Sequence, residues 1–232
     1  VIVYGWMTHP VGEARGLPWL ERGTFSVRFA KPIYYGEEVT VSAHVASRTT
    51  ESVSIEVSAL DSAGERCATA SAGLTLGPLP SPPDLSAYPA VPLPVERPVV
   101  SREHLASLRG LGTPELDLNE AALLGFLSRL DESSPLFFGV DAPAHPALYL
   151  DQANRAVDRN VRVSPWIHVE SQGQHLGMIR LGERLSTRGK IRSLFERKGH
   201  EFVELDLLLV ANGARPVATI RHLAIYQLRQ SA

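Results

Sequence analysis

Side chains that could hold or move a proton lie mainly in the second half of this 232-residue sequence. Carboxylates, imidazoles, hydroxyls and amides are the groups that proteins use for acid–base chemistry. The candidates are Asp141 and His145 in one loop, Asp151 and Asn154 farther along, and Ser171, His175 and His222 beyond them. The His-Glu-x-x-His, Cys-x-x-Cys, Gly-x-x-x-x-Gly-Lys-Ser/Thr and Gly-x-Ser-x-Gly motifs do not occur. We therefore expect no metal and no cofactor.

A basic stretch runs from Arg180 to Lys198. It contains seven Lys and Arg residues but only two Glu residues, in a chain of net charge -2. If this stretch is extended, Arg188, Lys190 and Arg192 share one face. Guanidinium and ammonium groups so placed could bind the phosphates of a ligand. The alternative is a charged strand edge that protects the sheet from aggregation.

The composition is that of a soluble globule, with 44% hydrophobic and 21% charged residues. The net charge of -2 gives no general reason for nucleic acid or an anionic membrane to bind, and we expect neither partner. Cys67 is the single cysteine, lies in an apolar strand pattern and is expected to be buried. A reducing compartment and the absence of a signal-peptide pattern predict a cytoplasmic protein.

Two stretches of the chain repeat one pattern, which predicts an internal duplication. Gly36-Glu37 matches Gly182-Glu183 at an offset of 146 residues, and the alternating residues 53–59 match 203–209 at an offset of 150. Between the two halves, residues 77–114 are rich in proline and predict a stiff linker. The sequence therefore predicts a first unit over residues 1–76 and a second over residues 115–232.

The predicted elements would position the candidate side chains on one helix and several strands. In the first half, period-2 alternation predicts strands near Phe25, Val39, Val53 and Cys67. In the second, Thr113-Pro114 predicts the start of a helix that continues to Leu130, and Pro146 the start of another that ends near Asn160. Four or five strands should follow, starting near Trp166, His175, Ile191, Phe202 and Val217. Each half thus predicts one buried helix and a consecutive antiparallel sheet.

Residues 28–37 resemble the Arg-Phe-x-x-Pro-[Val/Ile]-x-x-Gly-[Asp/Glu] turn of MaoC-like hydratases. The second half is similar in layout to the C-terminal hotdog of double-hotdog acyl-CoA thioesterases, particularly at Trp166-Ile167-His168 and at the strand from Val217 to Tyr226. The resemblance implies an α+β double hotdog, in which two antiparallel sheets each wrap on a long helix. Residues 1–7 resemble the middle of such a helix, so the first unit is expected to be incomplete at its N-terminus.

The resemblance further implies a ligand that is an acyl thioester of coenzyme A or of a carrier protein, and a homodimer could complete the site. It favours a hydro-lyase, a hydratase or dehydratase of enoyl thioesters, whose family pattern is Asp-x-Asn-Pro-x-His. Gly139 to His145 is the nearest match and implies Asp141 and His145 as the catalytic pair. Here the Asn is replaced and the loop is one residue shorter, a change that can rotate a side chain away from the water it should hold. The alternative is that His145 caps the helix that begins at Pro146.

A thioester hydrolase is the alternative enzyme, and a non-catalytic acyl-binding protein is the third interpretation. A thioesterase needs a carboxylate or amide from a helix, and a hydroxyl or amide from a facing strand, to orient water. Asp151 and Asn154 on the helix and Ser171, His175 and His222 on the strands are the alternative catalytic candidates. Arg188, Lys190 and Arg192 would bind the phosphates of a coenzyme A arm.

Overall fold

A computed structural model describes residues 1–34 and 36–229 of the chain. The helices are α1 (Ile2–Arg22), α2 (Arg102–Ser107), α3 (Glu120–Leu130) and α4 (Pro146–Asp158), with short 3-10 turns at Leu85–Ala87 and Pro135–Phe137. The strands are β1 (Thr24–Phe29), β2 (Val39–Arg48), β3 (Ser52–Asp61), β4 (Arg66–Thr75), β5 (Glu115–Asp117), β6 (Ile167–His175), β7 (Arg184–Arg197), β8 (His200–Ala211) and β9 (Arg215–Gln227).

These strands form one antiparallel sheet in the order β2-β3-β4-β1-β6-β9-β8-β7-β5. Pairing between β1 and β6 joins the two halves, and its register runs from Thr24 opposite Gln174 to Arg28 opposite Glu170. Ser26 and Gln172 lie at the centre of this register. The sheets predicted for the two halves are therefore continuous with each other.

The strands on the two sides of the β1–β6 junction follow one another in an equivalent order, which agrees with the repeat in the sequence. The strands β2, β3, β4 and β1 correspond to β7, β8, β9 and β6. The turns at Gly36 and Gly182 precede the corresponding strands β2 and β7. The central pair of the junction, residues 26 and 172, is also 146 positions apart. The repeated turns thus occupy equivalent positions, while the boundaries of the two units stay a prediction.

Helices α1 and α4 each precede the junction strand of their own half and pack against the sheet and each other. Buried residues of both helices belong to one apolar cluster with the inner face of the sheet. Gly16 interrupts α1 with a φ of 58°, a conformation that glycine adopts without strain. At Gly173 of β6, a Cβ atom would overlap the Thr219 carbonyl oxygen and the Phe25 ring, so only glycine fits at this crowded position.

The helix predicted to start at Pro114 was placed too early. Glu115–Asp117 pairs with β7 as strand β5, and α3 begins only at Glu120. The cap is Asn119, whose side-chain oxygen accepts a hydrogen bond from the Ala122 amide. In the second half the strands are four besides β5: His175 ends β6 rather than starting a strand, and Ile191 lies inside β7.

The proline-rich linker is packed along the second half of the sheet. The Tyr88 hydroxyl donates to Asp206 over 3.0 Å, and the Leu111 amide donates to the Gly189 carbonyl over 2.8 Å. Helix α2 lies in the same segment and its Arg102 pairs with Glu201. Of the helices in the described ranges, none combines the length and apolar character needed to cross a membrane.

Candidate functional site

Three hydrogen-bonded side chains, His168, Ser171 and His222, lie where β6 meets β9. The Ser171 hydroxyl oxygen is 2.8 Å from Nε2 of His168 and 2.8 Å from Nδ1 of His222. Ser171 and His222 are fully buried, and His168 is half-buried. We call this group the His-Ser-His chain. The structure thus brings together two of the residues that the sequence selected and adds His168, which the sequence analysis did not select.

Strand geometry explains why these side chains meet. Ser171 and His222 are directly opposite each other in the β6–β9 register. Residues three apart, such as His168 and Ser171, would face opposite sides of a regular strand. The register shifts between His168 and Glu170, and the extra residue of this β-bulge turns His168 to the side of Ser171. In the sequence, His168 lies three residues before a candidate serine and within the Trp166-Ile167-His168 stretch that resembles double-hotdog thioesterases.

Aromatic rings and helix α4 hold the two imidazoles in place. The His168 and His222 ring centroids are 4.2 Å apart, and the Phe29 ring lies 4.8 Å from His168. Trp166 stacks on His222, with ring planes 14° apart, and donates its indole N–H to the Asn154 side-chain oxygen over 2.8 Å. Asn154, a predicted candidate, therefore contacts Trp166 and is not a member of the His-Ser-His chain.

Burial keeps both imidazoles of the His-Ser-His chain neutral. It lowers the pKa of His222 to about 3 and that of His168 well below its usual range. A neutral imidazole carries one N–H and one lone pair, so the Ser171 hydroxyl accepts from one ring and donates to the other. Nδ1 of His168 and Nε2 of His222 have no hydrogen-bond partner within residues 1–34 and 36–229. An ordered water can satisfy a buried nitrogen of this kind.

A largely apolar cavity of about 580 Å³ has His168 in its wall. We call it the His168 cavity. Its lining includes Phe29, Pro32, Ile33, Ile167 and Ile225, with Lys31 and Arg197 as the basic residues. Lys31 is paired with Asp61 and Glu65, each at 2.6 Å. Arg197 lies over the Phe202 ring at 4.7 Å and forms no ion pair with a carboxylate within the part of the chain that the structure describes. Arg197 is therefore a basic side chain available to a ligand.

Asp141 and His145 are not brought together. Asp141 is exposed, and its main-chain carbonyl accepts a hydrogen bond from Arg180 over 2.7 Å. His145 is completely buried, and its Nδ1 accepts from the Ala147 amide at the start of α4. The carboxylate near His145 is Glu132, at 3.2 Å from Nε2. The shorter loop thus leaves His145 in the helix-capping role, which was the alternative prediction. The predicted Asp141–His145 catalytic pair is not formed.

Asp151 and His175 also lie outside the His-Ser-His chain. Asp151 pairs with Arg155 over 2.9 Å, one turn farther along α4. Nδ1 of His175 donates to the Leu20 carbonyl over 3.0 Å, and the rings of Trp19, Phe25 and Tyr149 surround it. Burial lowers the pKa of His175 to about 4, so it is a neutral core residue that ties α1 to β6.

The three residues predicted to bind phosphate each contact another part of the protein, and they do not line the His168 cavity. Arg188 donates to the Gly213 carbonyl over 2.8 Å, and Lys190 lies 5.8 Å from the centre of the Tyr88 ring. Arg192 pairs with Glu204 over 3.2 Å. These contacts fit the charged strand edge better than a ligand site. The described residues hold no group of three or more His, Cys, Asp or Glu arranged to bind a metal ion.

No family model matches the sequence, and no curated protein matches it. Solved structures do match. An acyl-CoA thioesterase II from Mycobacterium marinum superposes with a TM-score of 0.57 at 15% identity, covering 99% of this chain and 90% of that one. A MaoC-like dehydratase gives 0.59 at 12% identity, covering 97% and 80%. An acyl-ACP thioesterase from Bacteroides thetaiotaomicron gives 0.52 at 13% identity, covering 88% and 75%. These likenesses confirm the predicted α+β double hotdog fold.

Proposed function

We propose that this protein binds acyl thioesters in the His168 cavity and hydrolyses them with His168 as the general base. The observation that carries the proposal is the His-Ser-His chain, which begins at an imidazole in the wall of an apolar cavity. Such a cavity suits an acyl chain, because burial of apolar surface drives its binding. The structural neighbours named above include an acyl-CoA thioesterase and an acyl-ACP thioesterase, which supports a thioester substrate.

The hydrogen bonds of the site allow a balanced proton path. With its proton on Nε2, His168 donates to Ser171, Ser171 donates to Nδ1 of His222, and Nδ1 of His168 is left with a lone pair. A water held at that lone pair gives its proton to His168 as its oxygen bonds to the thioester carbonyl carbon. The carbon–sulfur bond of the tetrahedral intermediate then breaks, and the thiolate takes the proton back from His168. The products are a carboxylic acid and a thiol.

Hydrolysis is favoured over hydration because the Asp141–His145 pair, on which the hydratase prediction rested, is not assembled. The alternative candidates for water activation, Ser171 and His222, are hydrogen-bonded to each other. A hydratase or dehydratase acting on enoyl thioesters remains the competing enzyme, since a MaoC-like dehydratase shares the fold.

A panel of saturated and 2-enoyl coenzyme A thioesters tests the proposed function. We expect free thiol to be released from the saturated substrates, because hydrolysis needs no double bond. The measurement is thiol titration in parallel with the absorbance of the enoyl group. Loss of enoyl absorbance without thiol release would assign the protein to the hydratases, and binding without either change would assign it to the non-catalytic acyl-binding proteins.

Arg197 is expected to contribute to the binding of a coenzyme A substrate, because its charge is unpaired next to the cavity. Arg197→Glu should raise KM by roughly tenfold at low ionic strength and by less at high salt, since ions screen phosphate attraction. Replacing Arg188, Lys190 and Arg192 together with Ser is the matched control and should leave KM unchanged. If instead the triple variant raises KM and Arg197→Glu does not, the phosphates lie along β7.

A further inference from the structure

A second cluster of titratable side chains, outside the His168 cavity, is centred on Glu132 in the loop after α3. The Glu132 side chain is only 3% exposed. Its carboxylate accepts from Nδ1 of His9 over 2.9 Å and from the amides of Ser133 and Ser134 over 2.9 and 2.8 Å. Its second oxygen lies 3.2 Å from Nε2 of His145. A buried carboxylate thus accepts three hydrogen bonds, from the His9 imidazole and two amides, and lies beside a second imidazole that does not hydrogen-bond to it.

The neighbours of each imidazole fix its proton. Nδ1 of His145 accepts from the Ala147 amide, so the proton of His145 is on Nε2, which lies 3.2 Å from the Glu132 carboxylate. Burial by itself raises the pKa of Glu132, but its hydrogen bonds outweigh burial and hold that pKa at about 2. Because the carboxylate is an acceptor only, Nδ1 of His9 must be the donor. The lone pair of His9 is therefore on Nε2.

Nε2 of His9 is accessible, unlike the rest of the cluster. The His9 side chain is 43% exposed, whereas His145 is fully buried. His9 lines a cavity of about 410 Å³ together with Trp6, Pro10, Val39, Val41 and Leu130. None of these residues lines the His168 cavity. The two cavities are separate places on the protein.

We propose that His9 and Glu132 form a second acid–base site, in which His9 is a general base toward small uncharged esters bound in this cavity. A buried carboxylate that accepts from Nδ1–H and leaves Nε2 free is the arrangement that orients a catalytic imidazole. The walls are of mixed polarity, with Trp6 and Val39 in the apolar part, and the Asp131 carboxylate at the same cavity disfavours anions. An uncharged acyl ester fits both properties.

The reaction at His9 conserves atoms and protons. Nε2 removes a proton from water as the water oxygen bonds to the ester carbonyl carbon. The tetrahedral intermediate collapses, the carbon–oxygen bond to the leaving group breaks, and the leaving oxygen takes the proton from Nε2. Glu132 stays ionised and stabilises the transient imidazolium.

The test uses p-nitrophenyl acetate as the probe and the release of p-nitrophenolate as the readout. It is made on the full chain with His168→Ala already in place, which removes the contribution of the His168 cavity. In that background His9→Ala should lower the rate by about 10²-fold, as expected for the loss of a general base. Added imidazole should restore a large part of the rate, because it can enter the space that the side chain leaves.

Two further variants separate catalysis from folding. Glu132 keeps its two amide donors when His9 is replaced, so the fold should persist and the melting temperature should change little. His9→Gln can still donate to Glu132 but offers no basic nitrogen, and it should lose as much activity as His9→Ala. His44→Ala, which removes an exposed histidine beside Glu56, is the matched control and should retain the rate. Folded His9 variants that release p-nitrophenolate as fast as their parent would overturn the proposal.

Discussion

Replacing His168 with alanine is expected to lower kcat for acyl-thioester hydrolysis by about 10²-fold to 10⁴-fold, the usual contribution of a general base. The reason is that His168 is the member of the His-Ser-His chain in the cavity wall, with Nε2 committed to Ser171. KM should change much less, because the apolar walls that hold the acyl chain remain. The measurement is thiol release from a saturated acyl-CoA under saturating conditions.

Ser171→Ala is the informative companion to this variant. It leaves the His168 imidazole in the wall but breaks its link to His222. We expect a smaller loss of kcat than for His168→Ala, with KM again preserved. His44→Ala removes a largely exposed imidazole and should behave like the wild type. A folded His168→Ala protein with wild-type kcat would rule out His168 as the base and with it the proposed mechanism.

Acid is expected to destabilise the fold strongly, because several histidines are buried in the neutral form. Burial lowers the pKa of His175 to about 4 and that of His222 to about 3, against 6.5 for an unperturbed imidazole. Below pH 6.5 the unfolded chain binds protons that the folded chain does not. Stability is therefore complete above pH 6.5 and falls as the pH drops toward the folded pKa values. Each such histidine lowers the free energy of unfolding by about 1.4 kcal/mol for each pH unit below 6.5. The two together therefore lower it by about 4 kcal/mol at pH 5.

Melting temperatures at about pH 7.5 and about pH 5 measure this effect. A loss of about 4 kcal/mol should lower the melting temperature by roughly 8 to 16 °C in a chain of this length. Burial also lowers the pKa of His145 and His168, which act in the same direction. His175→Phe removes one titrating group from the core and should flatten the pH dependence, whereas His44→Gln should not alter it. Equal melting temperatures at the two pH values would contradict the burial of neutral histidines.

Much of the fold follows from local patterns in the sequence. Alternation predicted the strands of the first half, and the helix at Pro146 was predicted with its start. The prediction that a helix starts at Pro114 was wrong because residues 115–117 pair with β7, which lies some 70 residues away along the chain. Local propensity carries no information about such a partner. The joining of the two sheets through β1 and β6 is likewise a long-range pairing that no local pattern indicates.

The candidate site was predictable in its residue types but not in its geometry. Ser171 and His222 were selected because a hydroxyl or imidazole on a strand could orient water, and they are hydrogen-bonded. His168 was not selected as a site residue because a β-bulge sets the direction of its side chain, and the bulge depends on the register with β9. Glu132 was not selected as a site residue because its neighbours, His9 and His145, come from other parts of the chain. Asp141 was selected from a motif, and one missing residue in its loop leaves it on the surface.

The junction between β1 and β6 bears on the stoichiometry of the site that we propose. At the offset of 146 that the junction defines, Ser171 corresponds to Phe25 and His175 to Phe29. Two identical separate chains would carry two equal sites and would part on dilution. Halves tethered in one chain stay together at a high effective concentration, so each is free to diverge. The two halves therefore differ in residue type at these equivalent positions, and the His-Ser-His chain of the proposed site is built from residues of the second half alone.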